Sequence, residues 1–543
     1  MGVHLAGLIF FLNPGLPFEP LPVLRGILVY AALLGVASLA LHLPFTWGRP
    51  RRARRALPWG LTVALTAAAA LDWTHASYFA YYLPPGINER LIKTALWLSL
   101  GALISFYTAL LHSLQRRRYG VRSRTCYGLL AVLSVYAMVE RREGFQPRPG
   151  PIPRPAVVEA GQRPRLLVIG LDTATLDAIL PLAGQDRLPF LATVLREGAY
   201  GRLESISPPR PEALWTTLAT GKYPYKHEVI GRLVYPVDFI APGAGLRLRP
   251  TGINFRLWGT LGREARRPES VERDALALWE VLPRLGLPSG AVGWPATAPG
   301  RGGPGFALDD RFFAPQTASG SASGSASGGK LPPRLRELFG PNPPPALLDA
   351  LAGDLRRESV AASRLEQTPE VQALFLMLPG LRAVSRHDFG GFNAVQFEGS
   401  QAAEARQAAD RVAAYYAELD AALARLWGRQ SGPRLLVVVS ASGVSGQQGW
   451  RRLWGGAALQ GRFDGAQDGA LLLYGEGIRP GALLTGARLV DLAPTLLYGL
   501  GFPVARDLDG KVITAAFDKG FLARHPLNVL PSYEALELPP PAP

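Results

Sequence analysis

The sequence has few of the residues that build disulfides and metal clusters. Its 543 residues include one cysteine, Cys126, and seven histidines. A single cysteine excludes an intrachain disulfide and a cysteine-based zinc site. Charged residues are also scarce, at 18%, although the formal net charge is +16. A length of 543 residues allows about three units at roughly 150 residues each.

The positive charge is concentrated at the start of the chain. Residues 1–142 contain 15 Lys/Arg and 4 Asp/Glu, a net charge of +11, which leaves +5 for the remaining 401 residues. The arginines lie beside apolar runs, as membrane topology requires. We therefore expect the lipid bilayer, and no nucleic acid, to be a partner of this region.

Four apolar stretches in residues 1–142 predict a helical transmembrane region. Thr125–Val139 is the shortest of them and is flanked by arginines. The other three are about 20 residues or longer, enough to cross a hydrocarbon core of roughly 30 Å: Leu24–Leu43, Pro58–Leu83 and Thr94–Leu114. The opening Val3–Leu12 is too short to span, so we expect an interfacial or re-entrant piece that ends at Asn13-Pro14-Gly15. The alternative, a cleaved signal peptide, is disfavoured because no basic segment precedes this run.

The arginines also predict the orientation. They cluster after the first and third stretches: Arg49, Arg51, Arg52, Arg54, Arg55, and Arg116, Arg117, Arg118, Arg122, Arg124. The positive-inside rule makes these two loops cytoplasmic. The fourth stretch then delivers everything after about Glu143 to the extracytoplasmic, periplasmic side of a bacterial inner membrane; if it does not span, the large domain is cytoplasmic.

Two ionisable residues lie in the outer half of the second stretch. Asp72 and His75 are either functional polar residues of a membrane segment or interfacial residues among Trp73, Tyr78 and Tyr81. The sequence leaves both interpretations open.

After a proline-rich linker (residues 143–163) the pattern changes to strands alternating with helices. Leu166–Gly170, Leu436–Ser440 and Ala470–Tyr474 are typical of buried strands, and Glu404–Leu426 has helical periodicity. This pattern predicts an α/β domain over residues 164–525 with a largely parallel sheet. Thr317–Gly329 is a Gly/Ser/Ala repeat and predicts a flexible loop, and residues 526–543 predict a proline-rich tail. Functional groups are expected at the carboxyl ends of the strands.

Motifs in this part of the chain resemble one family. They are Val168–Asp172 (VIGLD), Leu188–Leu191 (LPFL), Ser205–His227 (SISPPRPEALWTTLATGKYPYKH), Leu278–Pro299 (LWEVLPRLGLPSGAVGWPATAP) followed by Asp310-Arg311-Phe312, and Asp491–Gly510 (DLAPTLLYGLGFPVARDLDG). Together they resemble the type I phosphodiesterase/nucleotide pyrophosphatase branch of the alkaline phosphatase superfamily. The resemblance implies an alkaline-phosphatase-like α/β fold and, in active members, two zinc ions beside a Thr or Ser nucleophile.

Most of the residues that the resemblance implies are missing. The first metal-binding aspartate falls on Asp172, but the nucleophile position falls on Pro211, which has no hydroxyl. The remaining ligand positions fall on Arg382, Arg386, Ala441, Ser442 and Gly465. Of the seven roles, one survives. Because zinc needs carboxylate, imidazole or thiolate donors and a guanidinium repels a dication, we expect no metal cofactor and no catalytic residue.

Alternatives remain at the same positions. Arg210, Arg382 and Arg386 are candidates for holding an anion without cleaving it, or Arg382 or Arg386 pairs with Asp172 or Asp388 and fills the vacated metal space. Replacement nucleophiles (Ser207, Thr216, Thr217) and shifted ligands (His387-Asp388, Asp309-Asp310) are less favoured, and His227 is expected to serve packing.

These observations favour a membrane-anchored, non-catalytic relative of phosphodiesterases. We expect it to act as a structural or binding subunit of a membrane assembly, with other membrane-protein subunits as partners. The alternatives are an active metal-dependent phosphodiesterase, phosphatase or head-group transferase with two zinc ions on relocated ligands, and a sensor of anions or lipid head groups.

Overall fold

The computed structural model describes residues 2–46, 50–115, 120–139, 163–249, 265–297, 305–313, 345–446, 459–463, 465 and 467–536. The chain forms two compact units. Unit 1 comprises Met1–Pro147 and Ile230–Pro268, and unit 2 comprises Arg148–Val229 and Glu269–Pro543. Arg49, Arg116–Arg118, the linker up to residue 162 and the 317–329 repeat lie outside the described residues.

The α-helices are α1 (Gly2–Leu12), α2 (Pro20–Thr46), α3 (Pro50–Tyr78), α4 (Pro85–Gln115), α5 (Val121–Val139), α6 (Leu176–Gly184), α7 (Pro189–Glu197), α8 (Pro211–Thr220), α9 (Pro224–His227), α10 (Leu278–Arg284), α11 (Pro345–Gln367), α12 (Leu381–Glu398), α13 (Ala403–Gly428), α14 (Leu492–Gly499) and α15 (Lys519–Arg524). Short 3₁₀ helices cover Ser270–Glu272, Asp310–Phe313, Leu489–Asp491 and Thr514–Ala516.

The strands are β1 (Arg165–Leu171), β2 (Ala199–Glu204), β3 (Tyr235–Pro236), β4 (Gly245–Leu246), β5 (Ser289–Trp294), β6 (Gly305–Asp309), β7 (Ala373–Leu378), β8 (Arg434–Val439), β9 (Ser445–Gly446), β10 (Gly461–Arg462), β11 (Gly469–Gly475), β12 (Ala482–Arg488), β13 (Val504–Ala505) and β14 (Val529–Leu530).

Unit 1 is built from the apolar helices α1–α5. Each predicted stretch falls on one helix, although α3 ends at Tyr78, before the end of its stretch, and α1 ends at Leu12 as the Asn-Pro-Gly break predicts. Within the described residues, α4 is the helix that is long and apolar enough to cross a membrane, whereas Val3–Leu12 and Pro20–Ala32 are shorter apolar segments. The multi-span interpretation therefore stays a prediction.

A second part of unit 1 comes from far along the chain. Residues 230–268 were predicted to belong to the α/β domain, but they contact the first helices instead. The β3–β4 hairpin places Val237, Ile240 and Leu246 in one apolar cluster with residues of α1 and α2. Asn13 fixes this packing, because its side-chain amide donates to Leu248 O (2.8 Å) and its carbonyl accepts from Leu248 N (2.8 Å). The β3–β4 hairpin thus belongs to unit 1.

Unit 2 contains an eight-stranded sheet in the described residues, in the order β12-β2-β11-β8-β1-β7-β5-β6. The central strand β1 is parallel to both neighbours, with Leu166–Leu171 opposite Ala373–Leu378 on β7. Among these eight strands only β11 runs antiparallel to its neighbours β8 and β2. The predicted α/β fold with a largely parallel sheet is confirmed.

The core of unit 2 lies between this sheet and its helices. β1, β5, β7 and β8 are buried along almost their whole length, as expected for near-continuous apolar strands covered on both faces. The periodic residues Val412, Leu419 and Leu423 of α13 are buried in the same cluster, which confirms that predicted helix.

The first residues of the predicted C-terminal tail contact other parts of unit 2. β14 pairs with β13, the Tyr533 hydroxyl donates to Pro503 O, and Glu534 forms an ion pair with Lys222 at 2.7 Å. Residues 526–536 therefore belong to unit 2, and the residues from 537 onward lie outside the described part.

Candidate functional site

Asp172 lies directly after β1, at the carboxyl edge of the sheet. Its backbone N–H donates to Leu378 O on β7 (3.3 Å), and the residue is 5% exposed. Burial raises the pKa of this carboxyl, an effect that the charge and hydrogen bond of Arg382, the indole N–H of Trp215 and the charge of Arg386 partly offset. The predicted site residue is therefore a buried carboxylate at the position where α/β folds collect functional groups.

The residue after Asp172 has a strained backbone. Thr173 has φ +72°, a left-handed conformation that non-glycine residues rarely adopt. Its hydroxyl donates to Ser385 Oγ (3.3 Å) on α12. Strain of this kind persists where surrounding contacts hold it, and it is common at functional sites. The contact ties the end of β1 to the helix that carries Arg382 and Arg386.

Arg382 occupies the space beside Asp172. Its Nη1 lies 3.5 Å from Asp172 Oδ1, and its guanidinium lies 4.7 Å from the ring centroid of Phe463. Arg386 is exposed and its guanidinium lies 5.8 Å from the same ring. Both distances fall in the range of cation–π contacts. Of the pairings considered for the two arginines, the structure shows the one between Arg382 and Asp172.

A buried carboxylate holds the start of α12. Both oxygens of Asp354 accept from Gly380 N (3.1 and 2.9 Å), and the Tyr415 hydroxyl donates to Oδ2. A Cβ on Gly380 would lie 2.4 Å from the Tyr415 hydroxyl and 2.5 Å from Asp354, so only glycine fits. Burial raises the pKa of Asp354 to about 7, opposed by Tyr415, Arg357 and the Gly380 N–H. Sequence reasoning missed this pair, because a lone Asp in an amphipathic helix carries no signal.

The predicted nucleophile position begins α8. Pro211 is the first residue of that helix and Arg210 is its N-cap, with extended backbone and no side-chain capping bond. Proline suits the first position of a helix, because the backbone N–H that it lacks would have no partner within the helix. Ser207 lies in the loop before the helix. The local sequence thus favours a helix start and provides no hydroxyl at 211.

The threonines of α8 are engaged in structural hydrogen bonds. The Thr216 hydroxyl donates to Glu212 O (2.8 Å), as expected for a helical threonine. The Thr217 hydroxyl instead lies 3.0 Å from His227 Nε2, which corrects the expectation that it bonds a preceding carbonyl. His227 is fully buried, its Nδ1 accepts from Val229 N (3.1 Å), and burial lowers its pKa to about 3. It is a neutral packing residue, as predicted.

An aromatic cluster supports the floor of the site. Trp215 and Trp294 meet edge to face at 5.3 Å, and the Trp294 indole N–H donates to Trp215 O (3.2 Å). Trp215 lies against Gly170 of β1, where a Cβ would approach the indole to 2.8 Å. The bulk of the WTT tryptophan therefore requires glycine just before Asp172.

The positions predicted for the remaining ligands hold no metal donors. Ala441 and Ser442 follow β8 and are buried, and their carbonyls accept from Ser205 Oγ (2.9 Å) and Ser440 Oγ (2.8 Å). Gly465 is exposed, and its carbonyl accepts from Gln467 N (2.7 Å).

Asp388 and Asp309, two of the alternative metal ligands, form other contacts. Asp388 is fully buried and is bound by Arg411, whose Nε lies 3.0 Å from Oδ2, and by His387 Nδ1 at 2.8 Å. This pairing also corrects the alternative in which Arg386 partners Asp388. Asp309 accepts from Phe312 N (3.1 Å) at the start of a 3₁₀ turn.

The donor set does not fit a two-zinc centre. Asp172 supplies the one carboxylate at these positions, and a guanidinium lies against it. Zinc sites need three or four N, O or S donors around one ion. In the part of the chain that the structure describes, no group of three or more His, Cys, Asp or Glu side chains is placed to hold a metal ion.

One family model matches this part of the chain. The family model for type I phosphodiesterase / nucleotide pyrophosphatase matches residues 166–445, about half of the chain, so the chain belongs to this family. A search of curated proteins finds no match.

Solved structures with similarity to the chain include three hydrolase-type proteins. A phosphonate monoester hydrolase from Silicibacter pomeroyi is 15% identical, with 66% of this chain and 78% of that chain covered and a TM-score of 0.38. Human ectonucleotide pyrophosphatase/phosphodiesterase 5 is 12% identical, with 64% and 97% covered and a TM-score of 0.38. An inactive form of the murine protein in complex with AMP is 12% identical, with 63% and 96% covered and a TM-score of 0.37.

Proposed function

We propose that this chain is a non-catalytic member of the type I phosphodiesterase/nucleotide pyrophosphatase family that serves as a binding or structural subunit of a membrane assembly. The observation that carries the proposal is the Arg382–Asp172 contact of 3.5 Å at the carboxyl edge of the sheet. A permanently charged guanidinium stands where a dication would have to bind.

Electrostatics supports a loss of catalysis. Phosphoryl and phosphodiester chemistry depends on positive charge that stabilises the transition state and on an activated nucleophile. Position 211 has no hydroxyl, and the hydroxyls of Thr216 and Thr217 are held by Glu212 and His227. The carboxyl edge of the sheet therefore has no hydroxyl nucleophile at position 211 and no set of metal ligands at the predicted positions. We expect no hydrolysis there.

Metal analysis and a turnover assay test the proposal on the full-length protein in mild detergent. We expect no stoichiometric zinc or manganese and no hydrolysis of a nitrophenyl phosphodiester. Bound metal with turnover would establish the active alternative with relocated ligands.

A rebuilt variant makes the test sharper. It carries Pro211→Thr, Arg382→Asp, Arg386→His, Ala441→Asp and Ser442→His, and we expect it to gain zinc that the wild type lacks. Adding Asp172→Asn to the same variant is the matched control and lowers the zinc content again. If wild type and rebuilt variant hold equal zinc, the ligand positions are assigned wrongly.

Anion binding at Arg386 is a second candidate function. Arg386 is exposed, shares the Phe463 ring with Arg382, and forms no ion pair within the described ranges. A charge-assisted hydrogen bond to phosphate is stronger than a neutral one. Titration of the full chain with inorganic phosphate is expected to saturate, and Arg386→Gln to weaken binding about tenfold, or roughly 1.4 kcal/mol. Arg406→Gln, on the exposed face of α13, is the control; equal affinities of the two variants would exclude the site.

The membrane placement is supported by exposed apolar side chains on unit 1. On α4 these are Leu96, Trp97, Leu100, Leu103, Phe106 and Tyr107, each 45–64% exposed. A contiguous exposed apolar surface of this kind marks a membrane or protein contact. We propose that unit 1 spans the inner membrane and that unit 2 is extracytoplasmic.

Thiol labelling tests this orientation, because Cys126 is the one native cysteine. In a Cys126→Ser background, Gln401→Cys in unit 2 is expected to react with a membrane-impermeant reagent in intact cells. Arg122→Cys is expected to react only after lysis. The opposite pattern would place unit 2 in the cytoplasm. Purification in mild detergent should then recover partner subunits in fixed stoichiometry.

A further inference from the structure

Three titratable side chains are buried together in unit 1, away from the site in unit 2. His4 is on α1, and Asp72 and His75 are on α3. His4 Nε2 lies 3.2 Å from Asp72 Oδ1, and their side chains are 8% and 0% exposed. His75 is also fully buried. The three residues are titratable side chains buried among the apolar helices of unit 1.

The helix geometry brings them to one place. Asp72 and His75 are three residues apart on α3, so they share a helix face. His75 Nδ1 lies 2.5 Å from Leu71 O, a contact in which the ring nitrogen donates, since the carbonyl can only accept. The ring therefore has a fixed orientation, which a residue exposed at a membrane interface would not need. The interfacial alternative from the sequence did not anticipate this burial.

The polar atoms of His4 and Asp72 are unusual for a folded core. Both ring nitrogens of His4 and both oxygens of Asp72 are buried, and apart from the 3.2 Å contact between the two side chains no hydrogen-bond partner is found for them among the described residues. A buried polar group without a partner costs free energy, and an isolated buried charge costs far more. The two groups face each other at 3.2 Å, so a proton held between them removes both penalties at once.

In the part of unit 1 that the structure describes, charged side chains on the neighbouring elements have partners outside the cluster. The groups that act electrostatically on Asp72 are His4 and His75, and those that act on His75 are Asp72 and His4. On α2, Arg25 donates to Ile240 O of the hairpin, and on α4, Glu89 is engaged with Lys93 in an exposed pair. On the hairpin, Asp238 accepts from Gly243 N. The charge state of the cluster is therefore set by its own protons.

We propose that His4 and Asp72, with His75 beside them, form a proton-binding site in unit 1 that holds one shared proton at neutral pH. With one proton, the His4–Asp72 pair has no net charge, either as carboxylic acid and imidazole or as carboxylate and imidazolium. Removing that proton leaves a buried negative charge, and adding a second leaves a buried positive charge, and each is opposed by desolvation. Ionisable residues within apolar helices are typical of proton-handling sites.

Occupancy of the site affects how α1 is held. α1 contributes His4 to this pair and contributes Leu5, Ile9 and Phe10 to the apolar cluster with the β3–β4 hairpin. Loss of the proton weakens the attachment of α1 to α3, and the hairpin that packs on α1 is the next element to respond. His4, Asp72 and His75 all lie in unit 1, so the proton that they hold does not depend on whether unit 2 is catalytic.

Comparative proton titration of the full chain in detergent tests the site. Asp72→Asn removes the shared proton, so this variant is expected to bind one proton fewer than wild type at about pH 7. Glu89→Gln changes a side chain on α4 that is 63% exposed, and it is expected to match wild type there. His4→Gln leaves Asp72 buried without its partner, so the carboxyl is expected to keep the proton and this variant also matches wild type at about pH 7. Asp72→Leu repeats the loss of one proton, which keeps the test valid if Asp72→Asn folds poorly.

Two results would overturn the proposal. One is an Asp72→Asn curve that differs from wild type only in the acidic range, as Glu89→Gln does. The other is a His4→Gln variant that binds one proton fewer than wild type at neutral pH, because Asp72 alone would then be ionised in the apolar bundle. A carboxyl or imidazolium infrared band that is lost in Asp72→Asn and retained in Glu89→Gln would confirm which groups hold the proton.

Discussion

The two units differ in which side chains they bury and which they expose. In unit 1, large apolar side chains of α4 are exposed, whereas His4 and Asp72 are buried and, among the described residues, have only each other as polar partners. In unit 2, the apolar strands are covered, and buried carboxylates have partners, as Asp388 has in Arg411 and Asp354 in Tyr415. The exposed apolar side chains of unit 1 support the membrane placement that we propose for it, and the covered strands of unit 2 support our proposal that this unit lies in water.

The largest expected effect is the loss of a buried partner in unit 2. Arg411→Leu leaves the fully buried Asp388 without its main counter-charge and is expected to lower the free energy of unfolding by about 3–5 kcal/mol. Arg425→Leu, in an exposed network with Glu358 and Glu418, is expected to cost less than about 1 kcal/mol. Denaturant unfolding measures both, and similar losses would show that unit 2 does not depend on buried pairs.

A charge on the apolar surface of unit 1 tests the other half of the comparison. Leu103 on α4 and Leu483 on β12 are both 64% exposed. If α4 faces lipid, Leu103→Arg is expected to disfavour membrane insertion by about 3 kcal/mol, whereas Leu483→Arg changes little. Fractionation of expressing cells measures the membrane-bound share. Equal behaviour of the two variants would argue for water around α4.

His227 provides a pH-dependent test of burial in unit 2. Burial lowers the pKa of the folded imidazole to about 3, whereas that of the unfolded residue is 6.5. The unfolded chain therefore binds the extra proton between these values, and stability is lost as the pH falls through this window. His227→Gln is expected to reduce the slope by about 1.4 kcal/mol per pH unit.

Thr217→Val is the matched control for His227, since it removes the hydrogen bond at 3.0 Å and keeps the imidazole. Its unfolding free energy should fall at every pH while the slope between about pH 4 and about pH 6 stays that of wild type. A flat slope in Thr217→Val would mean that the hydrogen bond, and not burial, suppresses protonation.

Asp354 gives a smaller effect of opposite sign. Burial raises its pKa from 3.8 to about 7, so its contribution to stability is fully present below about pH 4 and is lost as the pH rises through 7. Asp354→Asn is expected to flatten this loss, at a cost of about 1–2 kcal/mol for the altered bonds to Gly380 and Tyr415. pH-dependent thermal unfolding checks it, and an unchanged profile would show that another group titrates.

The sheet was predictable because its strands are continuous apolar runs, as in β1, β7 and β8. The location of Asp172 at the carboxyl edge was predictable because this residue directly follows the apolar run of β1. Contacts between distant segments were not. Nothing in residues 230–249 indicates packing on α1, because short apolar runs do not specify their partner. The role of Thr217 was missed for the same reason, since its choice between a helix carbonyl and His227 depends on where α9 folds back.

Ile230–Pro268 belongs to unit 1 although the residues on both sides of it belong to unit 2, and this affects which fragments of the protein can fold. The polypeptide passes between the two units after residue 147, after residue 229 and after residue 268, so one cut at the proline-rich linker cannot separate them. A fragment that begins after the linker would contain Val237, Ile240 and Leu246 without the helices α1 and α2 that cover them. It would be prone to aggregate, because these apolar side chains would be exposed to water. A fragment that also replaces residues 230–268 with a short polar loop is expected to fold its sheet and stay soluble.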